Sequence, residues 1–217
     1  MTKLIIFDMD GTLLDTLQDI ADSTNYLLRQ HNYPEHPLDA YRYFVGNGIK
    51  ILIERAIPET ERNDENINAL FEEFMPYYEA HKADKTSPYP GMLELLSTLQ
   101  EKGVLLAIAS NKVQAAMGPL VERYFPGIGF AAVLGNRQGV PPKPHPAIVE
   151  DILKLTGISK EETLYVGDTA VDMQTAAAAG LRKIGVLWGF RPLEELQQAG
   201  ADIIVEHPLE ILDYLSS

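Results

Sequence analysis

Six short apolar runs, each closed by polar or turn-forming residues, constrain the fold of this chain more than any other feature. They lie at Leu4–Phe7, 104–109, 130–134, 163–166, 183–187 and 202–205. Runs of this length suit strands buried on both faces. Amphipathic segments separate them: Met92, Leu95, Leu96 and Leu99 recur at helical spacing before Gly103, and Ile148, Ile152, Leu153 and Leu155 do so before Gly157. A glycine after the last apolar position is a helix stop. Strand and helix in alternation predict an α/β fold whose sheet is mostly parallel and covered on both sides.

One interval breaks the rhythm. The stretch between Phe7 and Val104 is far longer than a single crossover needs, so it holds an insertion. Within it, Leu17, Ile20, Ala21, Thr24, Leu27 and Leu28 form one helical face, Ile49, Leu52, Ile53 and Ala56 a second, and Ile67, Leu70, Phe71, Phe74 and Tyr78 a third. Three such faces can build a small helical domain. It is expected over residues 15–83, with the turn-rich Ser87-Pro88-Tyr89-Pro90-Gly91 leading back to the sheet.

In open parallel sheets, ligands bind beyond the carboxyl ends of the strands. The residues that follow the runs are Asp8 and Asp10, Ser110-Asn111, and Asp168. Asp8 and Asp10 are two apart and can face the same side, where two carboxylates repel unless one is protonated or a cation lies between them. With Asp168 they offer three hard oxygen donors and no His or Cys, a set that suits Mg²⁺. Asp172, four residues later, falls in the first turn of the next helix, where it can orient a ligand or a bound water. Taken alone, Asp168 and Asp172 read equally as helix caps. Asp8 beside Asp10 does not, because capping requires no second carboxylate.

Ser110-Asn111 is read as opening a helix, so that the hydroxyl and free N–H groups can hold a phosphate oxygen. Lys143 stands in Pro141-Pro142-Lys143-Pro144-His145-Pro146, a stiff frame that holds an ammonium in place at low entropic cost. His145 there could contact substrate or serve the local turn. Gly46 and Gly48 would let a loop approach a small ligand, or simply form an inter-helix turn. Arg55 could meet a substrate carboxylate but is expected to pair on the surface with Glu54 or Glu59, and Trp188-Gly189-Phe190, which ends a strand near the rim, is expected to pack aromatic rings in the core.

The 217-residue chain is 46% apolar, enough for a substantial core. Thirty-one acidic against eighteen basic residues give a formal charge of −13, which disfavours nucleic acid and anionic membrane surfaces. The same field opposes an anionic substrate, so a phosphate site needs a local cation. Without cysteine there is no disulfide and no thiolate nucleophile. The first apolar run is too short for a signal sequence and nothing reaches transmembrane length, so a cytoplasmic location is expected. A passive phosphate site needs a lysine and a helix terminus, each charged hydrogen bond contributing roughly 1.5–3 kcal/mol. Hydrolysing a phosphate monoester requires on the order of 20 kcal/mol or more of barrier lowering. The surplus carboxylates weaken plain anion binding and therefore argue for chemistry. One of Asp8 and Asp10 would attack phosphorus and the other move protons; spacing does not decide which.

The set of motifs resembles the haloacid dehalogenase superfamily. Asp8-Met9-Asp10-Gly11-Thr12 is similar to its first motif, Ser110 to its second, Lys143 to its third, and Gly167-Asp168-Thr169-Ala170-Val171-Asp172 to its fourth. The resemblance implies a Rossmann-like three-layer core over residues 1–14 and 84–217, and identifies the insertion as an α-helical cap. It implies that Asp8 is the nucleophile, Asp10 the acid/base, and Ser110, Asn111, Thr12 and Lys143 the phosphate contacts, with Gly46 and Gly48 on the substrate side. Asp8, Asp10 and Asp168 would hold Mg²⁺, Asp10 in the family usually through its backbone carbonyl, with Asp172 behind them. Tyr89-Pro90-Gly91, Val45-Gly46-Asn47-Gly48 and Lys143-Pro144-His145-Pro146 narrow the resemblance to phosphatases of small phosphorylated metabolites, phosphoglycolate foremost. A sugar phosphomutase, a pyrophosphatase or a non-catalytic sensor of phosphorylated ligands could use the same core. Oligomeric state is not readable.

Overall fold

The computed structural model describes residues 1–215. The chain divides into two compact units, Met1–Leu14 with the segment from Pro88 onward, and Asp15–Ser87.

The first unit is built on a six-stranded sheet. In chain order its strands are β1 (Leu4–Phe7), β4 (Leu105–Val113), β5 (Phe130–Asn136), β6 (Thr163–Gly167), β7 (Arg182–Val186) and β8 (Ile203–Val205). Two short strands, β2 (Leu14–Asp15) and β3 (Ser87–Pro88), pair with each other where the chain leaves and re-enters. The sheet order is β5-β4-β1-β6-β7-β8 and every pairing is parallel. Parallel neighbours need crossovers, and α5 (Met92–Glu101), α6 (Gln114–Tyr124), α7 (Ala147–Thr156), α8 (Ala170–Ala179) and α9 (Leu193–Gln198) supply them.

All four residues of β1 are fully buried, as expected of a central strand covered on both faces. Leu4 and Ile6 join Ala107, Ala109 and Tyr165 in a cluster under Ile148, Val149 and Ile152 of α7 and Ala176 and Ala179 of α8. Ile5, Phe7, Leu106 and Ile108 alternate to the other face and are buried there too. Leu4 stands beside Leu105 on one side and Thr163 on the other, so the ends of β4, β1 and β6 form one rim.

The second unit is helical: α1 (Leu17–Gln30), α2 (Leu38–Phe44), α3 (Ile49–Ala56) and α4 (Asp64–His81). Ile20, Leu27, Leu28, Leu52, Ile53, Leu70, Phe74 and Tyr78 make its core. Among the described residues, no helix is long and apolar enough to cross a membrane.

Three expectations are corrected. The insertion ends at Ser87 rather than residue 83, because the Asp19 carboxylate of α1 accepts from the Lys85 and Thr86 N–H groups at 2.8–3.0 Å and keeps that stretch with the helices. Ser110-Asn111 does not open a helix: β4 continues to Val113, opposite Asn136 of β5, and α6 begins at Gln114. The Gln114 side chain explains the delay, since it donates to Val133 O (3.1 Å) and accepts from Gly135 N–H (2.6 Å), extending the ladder. Arg55 binds the loop before α3: its guanidinium donates to the Tyr43 (3.2 Å) and Phe44 (3.0 Å) carbonyls and to the Asn47 side-chain Oδ1 (2.9 Å). It thereby ties α3 to the loop of Gly46 and Gly48, whose φ values of 121° and 90° already account for both glycines as turn residues.

Candidate active site

The end of β1 carries Asp8, whose N–H still donates to Val166 O of β6 at 2.9 Å. The chain then folds back on itself, the Met9 carbonyl accepting from Thr12, Leu13 and Leu14 N–H. Gly11 sits in this turn at φ 91°, a conformation that strains any other residue.

Lys143 is the hub. Its side chain is 2% exposed, and its ammonium lies 2.9 Å from Asp8 Oδ1, 2.7 Å from Asp172 Oδ1, 2.9 Å from the Ala109 carbonyl and 3.2 Å from the Tyr165 hydroxyl. Asn111 fixes the backbone beneath it, donating to Lys143 O (3.1 Å) and accepting from Lys143 N–H (2.9 Å). The Asn111 amide, expected at phosphate, therefore positions the lysine. Burial disfavours the ammonium, but Asp172 and Asp8 outweigh it and hold its pKa well above the ordinary lysine value.

Asp172 occupies the first turn of α8, reciprocally capped with Thr169: its Oδ2 accepts from Thr169 N–H (3.1 Å) and hydroxyl (2.6 Å). Oδ1 accepts from Lys143 and from the Tyr165 hydroxyl (3.1 Å). Both oxygens are thus engaged. Asp168, fully buried, accepts at Oδ1 from the Thr12 hydroxyl (3.1 Å) and at Oδ2 from Phe190 N–H (2.8 Å). Thr12, expected to meet phosphate, turns its hydroxyl to this carboxylate.

The Asp10 carboxylate pairs with Lys112 of β4, whose Nζ lies 3.1 and 3.3 Å from its two oxygens. The Ser110 hydroxyl accepts from Lys112 N–H (3.2 Å) and keeps its own proton for another acceptor. His145 takes the local turn role, its Nδ1 accepting from Ala147 N–H (3.2 Å).

Oxygens of Asp8, Asp168 and Asp172 all lie within 4.8 Å of one another. Asp8 Oδ1 is buried, with the Lys143 ammonium 2.9 Å away as its compensating charge. Burial first, then Asp172, raises Asp8 to about 7 against the opposing pull of Lys143. Burial and the neighbouring carboxylates Asp172 and Asp8 likewise raise Asp168 well above the carboxylate range. Clustered, under-solvated carboxylates of this kind fit a small divalent cation. Asp8 and Asp168 are the pair with capacity to bind it; the carboxylate of Asp10 lies outside the group.

Lys112 and Tyr165 were not expected at this rim, whereas Trp188–Phe190 was placed near it but read as core packing. A signal existed for Lys112: a lysine inside a buried strand demands an acidic partner. Trp188 Nε1 donates to Thr12 O at 3.0 Å, so its ring is no simple core filler, although Phe190 is buried as expected.

A buried strand-end carboxylate, a buried ammonium and neighbouring carboxylates gather at one end of a parallel sheet, the arrangement of a class of hydrolase. The sequence pattern of the haloacid dehalogenase-like hydrolases matches residues 5–186, and the chain belongs to that family. Among its relatives, the phosphoglycolate phosphatase of Pseudomonas putida is 32% identical over 99% of this chain and 78% of its own length. That of Pasteurella multocida is 32% identical over 98% of both. A crystal structure from Haemophilus somnus, described as a predicted phosphoglycolate phosphatase, superposes with a TM-score of 0.90 at 28% identity, covering 98% of this chain and 97% of the other.

Proposed function

We propose that this protein is a Mg²⁺-dependent phosphatase of small phosphorylated metabolites, with phosphoglycolate the favoured substrate. The observation that carries the reading is the Asp8 carboxylate: it follows the central strand, buried, 2.9 Å from the Lys143 ammonium and clustered with Asp168 and Asp172. The full-length relatedness to phosphoglycolate phosphatases supports the choice of substrate.

Asp8 attacks phosphorus in line, forming an aspartyl-phosphate as the ester P–O bond breaks. Asp8 and Asp168, with the Asp10 carbonyl, would hold Mg²⁺, which when bound would supply positive charge for the phosphoryl group. Lys143 and the Ser110 hydroxyl bind phosphoryl oxygens. Asp10 gives its proton to the leaving alkoxide, then takes one from the water that attacks the aspartyl-phosphate, releasing orthophosphate and restoring Asp8. Lys112 fixes where the Asp10 carboxyl stands between these steps. Asp172 stays bound to Lys143 and keeps it in place.

Phosphate release across phosphoglycolate, sugar phosphates, nucleotides and pyrophosphate tests the reading. Highest kcat/KM on phosphoglycolate is expected. Turnover only with a hexose bisphosphate present would select a mutase, and ligand binding without turnover a sensor.

A further inference from the structure

The segment after β7 has no role in the chemistry above, yet it encloses Asp168. Phe190 N–H holds Asp168 Oδ2, and Trp188 holds the carbonyl of Thr12, whose hydroxyl holds Oδ1. Between them, Gly189 leaves no spare space: a Cβ there would overlap the Asp168 Cβ and lie 2.5 Å from the Gly11 carbonyl oxygen. A Cβ on Gly11 would likewise overlap the Asp168 carboxylate. The segment is anchored at both ends. Leu187 N–H donates to Val205 O (3.0 Å), and Arg191 pairs at 3.2 Å with Glu195, which also accepts from Ala170 N–H at the start of α8 (3.1 Å).

We propose that Trp188-Gly189-Phe190 is a positioning clamp that sets metal affinity by fixing the orientation of Asp168. The inference rests on the reading that Asp168 is a ligand of Mg²⁺. A carboxylate held at each oxygen by a separate donor cannot rotate about its Cβ–Cγ bond, and each oxygen keeps a lone pair for a cation. Partners that orient a ligand in this way typically contribute 10–100-fold to metal affinity. Close packing of Gly11 and Gly189 against Asp168 restricts the remaining freedom.

The test is Mn²⁺ binding to the metal-free protein, measured by calorimetry. Trp188 is the only tryptophan, so its emission gives a second readout in the wild type. Trp188→Phe keeps an aromatic ring and removes the N–H donor. Its Mn²⁺ dissociation constant is expected to rise roughly tenfold, while KM for phosphoglycolate at saturating Mg²⁺ stays within about twofold, as for a site whose substrate contacts are untouched. Gly189→Ala, which pushes the carboxylate aside, is expected to lose more; should it fail to fold, Trp188→Phe decides. Unchanged Mn²⁺ affinity in folded Trp188→Phe overturns the clamp, and so does a parallel loss of substrate and metal binding, the mark of general loosening. A wild type that binds no Mn²⁺ would overturn the metal reading itself, a result distinct from a wild type and variant that bind equally.

Discussion

Lys143 shows how a chain with a charge of −13 builds a place for phosphate. Its ammonium has four acceptors within 3.2 Å, two of them carboxylates that are themselves shielded from water. Removing it leaves Asp8 and Asp172 as buried charges without a cation, a loss that destabilises by about 3–5 kcal/mol. Lys143→Met is therefore expected to lower metal-free stability by that amount in urea, and to abolish turnover even where the protein is kept folded by cold or osmolyte. Asp8→Asn is the contrasting case. It removes the nucleophile, so kcat should fall by at least about a thousandfold, yet it also removes a carboxylate that burial disfavours, so melting at pH 7 without metal should not drop. Near-wild-type kcat in Asp8→Asn would assign the attack to another residue. Asp8 could be placed from sequence because it directly follows a buried run and so stands on the rim, and Lys143 stood out because prolines frame it. The partners of these residues could not. Nothing in the spacing tells that Asn111 clamps the Lys143 backbone, or that Lys112 reaches Asp10, since such contacts depend on where neighbouring strands end.

At the level of elements, the short apolar runs were legible because buried parallel strands carry no polar face to blur them, and β1 has the bounds of its run. The start of α6 was not. Ser110 looks like a helix cap, but pairing of β4 with β5 continues to Val113, and cross-strand pairing outweighs a local capping preference. α2 escaped notice for a different reason: at seven residues, with Tyr41 its one buried side chain, it has too little apolar periodicity to register. The end of the helical unit depends on a single side chain. Asp19 is 3% exposed and accepts from two backbone N–H groups and the Thr86 hydroxyl (2.8 Å). Asp19→Ala strands these donors, each unsatisfied buried group costing about 1–3 kcal/mol. The expected result is preferential proteolytic cleavage around residues 82–87, with cleavage elsewhere unchanged; a wild-type digestion pattern would show that the carboxylate is dispensable there.

The molecule as a whole must keep acidic groups buried that function requires ionised, and this sets a dependence of stability on pH. Asp8 rises from 3.8 to about 7 in the folded chain, so the folded state binds its proton more tightly than the unfolded state does. The sign follows from linkage. Below about pH 4 both states hold the proton and its stabilisation is complete; between about 4 and 7 the unfolded state releases it while the folded state retains it, and stability falls; above about 7 the loss levels off. Other groups titrate over the same range, so the informative quantity is the difference in unfolding free energy between wild type and Asp8→Asn, which carries no proton to lose at that position. Without metal, the wild type should weaken relative to the variant as pH rises from 4 to 7. Divalent metal binds the ionised form, so its affinity should climb over the same range with release of protons, and saturating Mg²⁺ should cancel or reverse the decline. A difference that stays flat from pH 4 to 7 in chelator would mean that Asp8 is already ionised in the metal-free fold, with Lys143 alone sufficient to hold its charge.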